Sequence, residues 1–143
     1  MSQPDAAPRD QAMPRDDLGR LMILETEAVD RLPWERLRDL DGVFSKILWR
    51  SGDVAIGLIR VDAGAEKPAH VHHGAHHHIW LVSGSATMLG RPLSAGSYVY
   101  IPPGVEHEVT DVGPDGCVFF YTFRPIEMRS GEPQLAGAAT LAE

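Results

Sequence analysis

Between Gly64 and Gly84 the chain reads GAEKPAHVHHGAHHHIWLVSG, and six of its seven histidines fall inside that stretch. They are His70, His72, His73, His76, His77 and His78. The seventh, His107, lies in a second patterned stretch, GSYVYIPPGVEHEVTD, from Gly96 to Asp111. The run is internal and is broken by Val71, Gly74 and Ala75, unlike a tag. A merely solvated run would explain His73 but not the spacing of the others. His70-Val71-His72 stands between Pro68 and Gly74 and reads as a short strand, in which side chains at i and i+2 share a face. Two imidazoles can then reach one point in space. Gly74 supplies a turn, His77-His78-Ile79-Trp80-Leu81-Val82 forms a returning strand, and Ser83-Gly84 turns the chain again. A residue at the start of the returning strand lies opposite the pair and can be a third ligand. Imidazole is the commonest metal ligand, so the pattern points to a metal held between strands.

The rest of the chain supplies more strands. VFSKILW (Val43–Trp49) and VAIGLIRV (Val54–Val61) are apolar and β-rich, and Arg50-Ser51-Gly52-Asp53 between them is a hairpin signal. Ala86–Leu89, Tyr98–Ile101, Glu106–Thr110 and Val118–Phe123 follow, cut by Gly and Pro. Short strands at this spacing indicate an all-β sandwich or barrel. Three domain-level segments are expected: a disordered Pro-, Ala- and charge-rich stretch over 1–17, a β-barrel over 18–124, and a tail or arm over 125–143. Leu18–Glu25 reads as a short strand or arm. Asp30–Leu40 reads as a helical turn starting near Pro33, with Trp34, Leu37 and Leu40 on one apolar face.

Both patterned stretches resemble the cupin motifs. The first cupin motif is Gly, five residues, His-x-His, three or four residues, Glu, six residues, Gly; here Gly64, His70, His72, His77 and Gly84 keep that register, with His77 in the Glu position. The second is Gly, five residues, Pro-x-Gly, two residues, His, three residues, Asn; here Gly96, Pro102, Gly104 and His107 keep it, with Asp111 for Asn. The match spans about a third of the chain. It implies a small jelly-roll β-barrel with one metal ion inside its wider end, held by His70, His72, His77 and His107. His76 is the rival to His77, but only His77 keeps six residues before Gly84. Strand alternation places His76 and His78 on the face opposite His77, Ile79 and Leu81.

Four neutral imidazoles leave a divalent ion its full charge, which favours polarising a carbonyl over the iron chemistry of a two-His, one-carboxylate site. Zinc is the first expectation, with iron, nickel and copper as alternatives. Among cupins, AHHHIWLVSGSAT, YVYIPPGVEH and GCVFFYTFRP look most like the single-domain aromatic polyketide cyclases of the resistomycin type. That resemblance implies aldol-type cyclisation and aromatisation of a poly-β-keto substrate in antibiotic biosynthesis. The alternatives are an Fe(II) dioxygenase cleaving a β-diketone or aromatic ketone, and a non-catalytic cupin that senses a metal or small molecule. Trp49, Ile79, Leu81, Val109 and Phe120 are candidate cavity walls. No general base is placed by spacing, since Glu106 and Glu108 flank His107 and point away from the metal.

Thirteen Lys and Arg against 20 Asp and Glu give a net charge of −7, which argues against nucleic acid and anionic membrane as partners. No apolar run approaches the roughly 18 residues of a membrane span, and no apolar signal core opens the chain. A cytoplasmic protein is expected. A single cysteine, Cys117, allows no internal disulfide and reads as a buried, inert thiol. Terminal arms available to cover exposed sheet edges imply a homodimer.

Overall fold

The computed structural model describes residues 21–52 and 54–125. The expected N-terminal segment, 1–17, and all but the first residue of the 125–143 tail lie outside these. Two compact units divide the chain between Leu32 and Pro33. In the first, Leu21–Glu25 has no regular structure, in place of the strand expected over Leu18–Glu25. A helix, α1 (Thr26–Arg31), follows, with Glu27 in its first turn and Arg31 in its last, both complementing the helix dipole. It ends at Leu32, whose ψ of 134° is extended, as the residue before a proline prefers. Pro33 therefore marks a helix end and not the expected helix start. Among the described residues no helix is long and apolar enough to cross a membrane.

The second unit is antiparallel β. Its strands are β1 (Glu35–Arg36), β2 (Val43–Ser51), β3 (Val54–Val61), β4 (Lys67–His70), β5 (Ala75–Met88), β6 (Arg91–Ser94), β7 (Tyr98–Ile101), β8 (His107–Val109) and β9 (Cys117–Pro125). The larger sheet runs β1-β2-β3-β9-β5-β6, with β7 also on β5; β4 and β8 form a second, two-stranded sheet. The expected hairpin joins β2 to β3, with Ser51 opposite Val54. Glu35–Arg36 pairs with Ser45 and Phe44, so the segment expected to be helical adds an edge strand. Leu37 and Leu40 still pack on the core. Trp34 instead lies beneath two cations, Lys46 Nζ at 4.5 Å and Arg60 Cζ at 5.0 Å from its ring centre.

Strand β5 organises the unit. One edge pairs with β9 from Ala75 to Gly84. The other pairs with β7 over His77–Trp80 and then with β6 over Ser85–Met88. The expected turn at Ser83-Gly84 is a β-bulge instead: the register against β9 slips between Leu81 and Ser83, and Gly84 has φ +76°. Gly84 also lies so close to the Gly116 carbonyl that a Cβ would collide with it, so only glycine fits. The bulge inserts one residue and changes which residues face inward. His77, Ile79 and Leu81 are buried before it; Ala86 and Met88 are buried after it. Ile79, Leu81, Ala86 and Met88 join Val43, Val61, Ile101, Val109, Cys117 and Phe119 in one core. Cys117 is buried with its pKa pushed up to about 11 by that burial, matching the inert thiol expected of it.

The small sheet links the two histidine stretches. His70 closes β4 directly across from His107, which opens β8. His72 lies beyond the end of β4 in the loop to β5, so His70 and His72 do not share one strand as expected. The turn after β7 holds that loop, because Gly104 N–H donates to the His72 carbonyl at 2.8 Å.

Candidate metal centre

Three of the four expected ligands come together from three different segments. One side-chain nitrogen from each of His70, His72 and His107 lies within 4.8 Å of the others. Ring centres are 4.1 Å apart for His70 and His107, 4.9 Å for His70 and His72, and 5.4 Å for His72 and His107. His77 borders this group, 5.0 Å from His72 and 5.5 Å from His107 between ring centres. It is stacked on Phe123 at 4.3 Å, its cross-strand partner on β9. His73 is exposed. His76 and His78 lie on the other face of β5, where Nδ1 of each meets a phenol oxygen of β7: Tyr100 at 2.6 Å and Tyr98 at 2.7 Å.

Hydrogen bonds settle the tautomers. Nδ1 of His70 lies 2.9 Å from the Pro68 carbonyl, and Nδ1 of His107 lies 3.0 Å from the Val105 carbonyl. A carbonyl only accepts, so each Nδ1 carries the proton and each Nε2 presents a lone pair. Nε2 of His107 and Nδ1 of His77 are buried without a hydrogen-bond partner among the described residues. Buried polar atoms are seldom left so, and a ligand commonly explains them. Burial, with mutual repulsion among the rings, holds His70 and His72 down to about 4 and His77 to about 3; burial also lowers His107. The imidazoles are neutral at pH 7, the state in which they bind metal. Charge state and grouping fit a divalent cation, which would take up the His70 Nε2 lone pair in place of the Lys67 ammonium that now meets it at 2.8 Å; such donors suit zinc, copper, iron and nickel.

A family model for the ChrR cupin-like domain matches residues 24–127. The chain belongs to this cupin family. No curated protein sequence matches it. Among solved structures, this cupin resembles an RmlC-like cupin from Shewanella frigidimarina at 25% identity and a TM-score of 0.56, covering 68% of this chain and 87% of that one. It also resembles the polyketide cyclase RemF from Streptomyces resistomycificus, at 17% identity and 0.61, over 77% and 88%. A third likeness is to the structure of Rhodobacter sphaeroides SigE in complex with the anti-sigma ChrR, at 19% and 0.58, over 86% and 68%. At these identities the last two likenesses bear on fold alone.

The histidine group forms part of the wall of an open cavity of about 650 Å³. Ile79 and Val109 line it as expected, but Trp49, Leu81 and Phe120 do not. A register shift between Ile47 and Trp49 turns Trp49 outward, so that Ile47 faces the cavity. Leu81 is sealed in the core. On β9 it is Phe119, Tyr121 and Phe123 that face inward; Thr122, which interrupts the apolar run Val118–Phe123 on the face of Phe120, is the one signal in the sequence for that parity. Spacing also missed the cavity's cations, because a single Lys or Arg has no signature. Lys67 Nζ donates to Nε2 of His70 at 2.8 Å. Burial first, then Arg38, lowers Lys67 to about 8.

Proposed function

We propose that this cupin binds one divalent ion, zinc by preference, through His70, His72 and His107 with His77 as fourth ligand, and promotes aldol-type cyclisation of a poly-β-keto substrate. The observation that carries the reading is a neutral, all-imidazole donor group opening on a cavity far larger than an ion needs. A structural metal requires no such space. When bound, the ion supplies Lewis acidity to a substrate carbonyl without changing oxidation state. The chain's own residues do the rest. The Pro68 and Val105 carbonyls hold two imidazoles in the metal-binding tautomer. Ile79, Met88, Val109, Phe119 and Phe123 offer an apolar wall against which a flexible chain can fold, and ordering its reacting carbons contributes to rate. RemF, a polyketide cyclase, has this fold, so the architecture can house such a site.

The test is an anaerobic assay of zinc-loaded protein with a poly-β-ketone. Undiminished ring formation supports the cyclase. A strict need for O₂, restored only by iron, replaces it with the dioxygenase. A second reading, a non-catalytic cupin that senses a metal or small molecule, draws on the match to the ChrR cupin-like domain, ChrR being an anti-sigma in its complex with SigE. It predicts ligand-dependent thermal stabilisation with no turnover in the same assay.

A further inference from the structure

Charge in the cavity runs against the charge of the chain. Overall, 13 Lys and Arg face 20 Asp and Glu. The cavity wall instead carries three cations, Arg38, Arg50 and Lys67, against two carboxylates, Glu35 and Asp39. The acidic pair does not neutralise the basic set: among the described residues the ion pairs are Arg36 with Asp41 and Arg60 with Asp62, both involving other cations. Lys67 is half-buried beside His70. Arg38 is exposed on the turn between β1 and β2, and makes no hydrogen bond to another described residue. Arg38 and Lys67 line the same cavity as His70, His72 and His107. Arg38 and Lys67 thus share one wall without an ion pair to another described residue, and a wall with an excess of positive charge attracts an anionic ligand. Arg38 also has φ +53°. Left-handed backbone at a residue other than glycine is a local strain that tends to persist at binding sites.

We infer that the ligand of this cavity carries a carboxylate, or an oxyanion of like geometry, bound by Arg38 at the mouth and Lys67 beside the histidines. The ligand class is then an acid whose carbonyl lies within a few bonds of its carboxylate, such as a β-keto acid. Arg38 suits the task, since a guanidinium meets a carboxylate with two parallel N–H donors. Lys67 adds a point charge deeper in. The inference rests on the proposed metal-centre reading for the carbonyl end of the ligand, but not for the anionic end.

The experiment compares acetoacetate with methyl acetoacetate, which share a skeleton and differ in charge. Cobalt(II)-loaded protein is titrated with each at low salt, following the visible bands of the cobalt. The expected result is that acetoacetate binds about tenfold or more tightly than the ester, and that Arg38→Gln and Lys67→Met each shrink this ratio. Arg60→Gln, a cation outside the cavity, should keep it. Equal binding of acid and ester by the parent, or a ratio unchanged in both cavity variants, overturns the inference and leaves the metal reading standing. Failure to take up cobalt overturns the metal reading instead. Calorimetry of acetoacetate with the metal-free protein then decides the anion site: binding lost in Arg38→Gln sustains it, and no binding by the parent ends it.

Discussion

His77 and His78 are neighbours on one strand and live in different chemistry. His77 faces inward, stacked on Phe123, with a buried Nδ1 that no group of the described residues satisfies. His78 faces outward and His76 with it, each Nδ1 engaged by a tyrosine hydroxyl. The contrast separates histidines that the fold itself completes from one that it leaves wanting a ligand. The period-2 alternation of a strand produces it. Residue type does not, because all three are histidine.

The largest expected break of this contrast is in metal affinity. His107→Ala should lower zinc affinity by at least ~100-fold, more than losing an outer-shell partner does. His76→Ala and His78→Ala should leave occupancy unchanged by elemental analysis. Loss of metal in an outer-face variant would erase the distinction. The same parity governs packing. Leu81, 1% exposed, should cost about 2–5 kcal/mol on Leu81→Ala. Its neighbour Val82, 49% exposed, should change stability by no more than about 0.5 kcal/mol on Val82→Ala in urea unfolding.

Acid sharpens the comparison. His70, His72 and His77 in the folded, metal-free protein have pKa values of about 3 to 4, against 6.5 for an ordinary histidine. Below pH 6.5 the unfolded chain therefore binds more protons than the folded one. Stability present above pH 6.5 is lost as pH falls toward 4. His77→Phe should reduce the slope of stability against pH by about one proton in that window. An unchanged slope, read from urea midpoints, would mean that His77 titrates like a surface residue. A modest effect is expected outside: Tyr100→Phe removes one hydrogen bond to His76 and should cost about 0.5–1.5 kcal/mol, with metal content unaltered.

Much of this was legible in the residues. Two motifs in register place His70, His72 and His107 on converging segments, and alternation alone separates His77 from His76 and His78. Other features left no such trace. The glycine at 84 signals positive φ equally well for a turn and for a bulge, and only the continuous pairing of β5 with β9 decides between them. The edge strand at Glu35–Arg36 stands where a helical turn is expected, and the helix at Thr26–Arg31 lies before Pro33 and not after it, because a proline can open a helix or close one. Lys67 and Arg38 gain meaning from what surrounds them in three dimensions, and each is an ordinary cation in the linear text.

The two-sided pairing of β5 has a kinetic consequence. Across His77–Trp80 the strand is laddered to β7 on one edge and to β9 on the other, so its amides can exchange with solvent only if a whole ladder opens. The His72 segment is tied to its neighbour by the Gly104 N–H bond, outside any strand, and can come away at far lower cost. Hydrogen exchange should therefore be slowest at His77 and fast around His72. An ion held here would be bound on one side by a segment that opens readily and on the other by a strand that stays folded, so its bond to His72 should be the first to break.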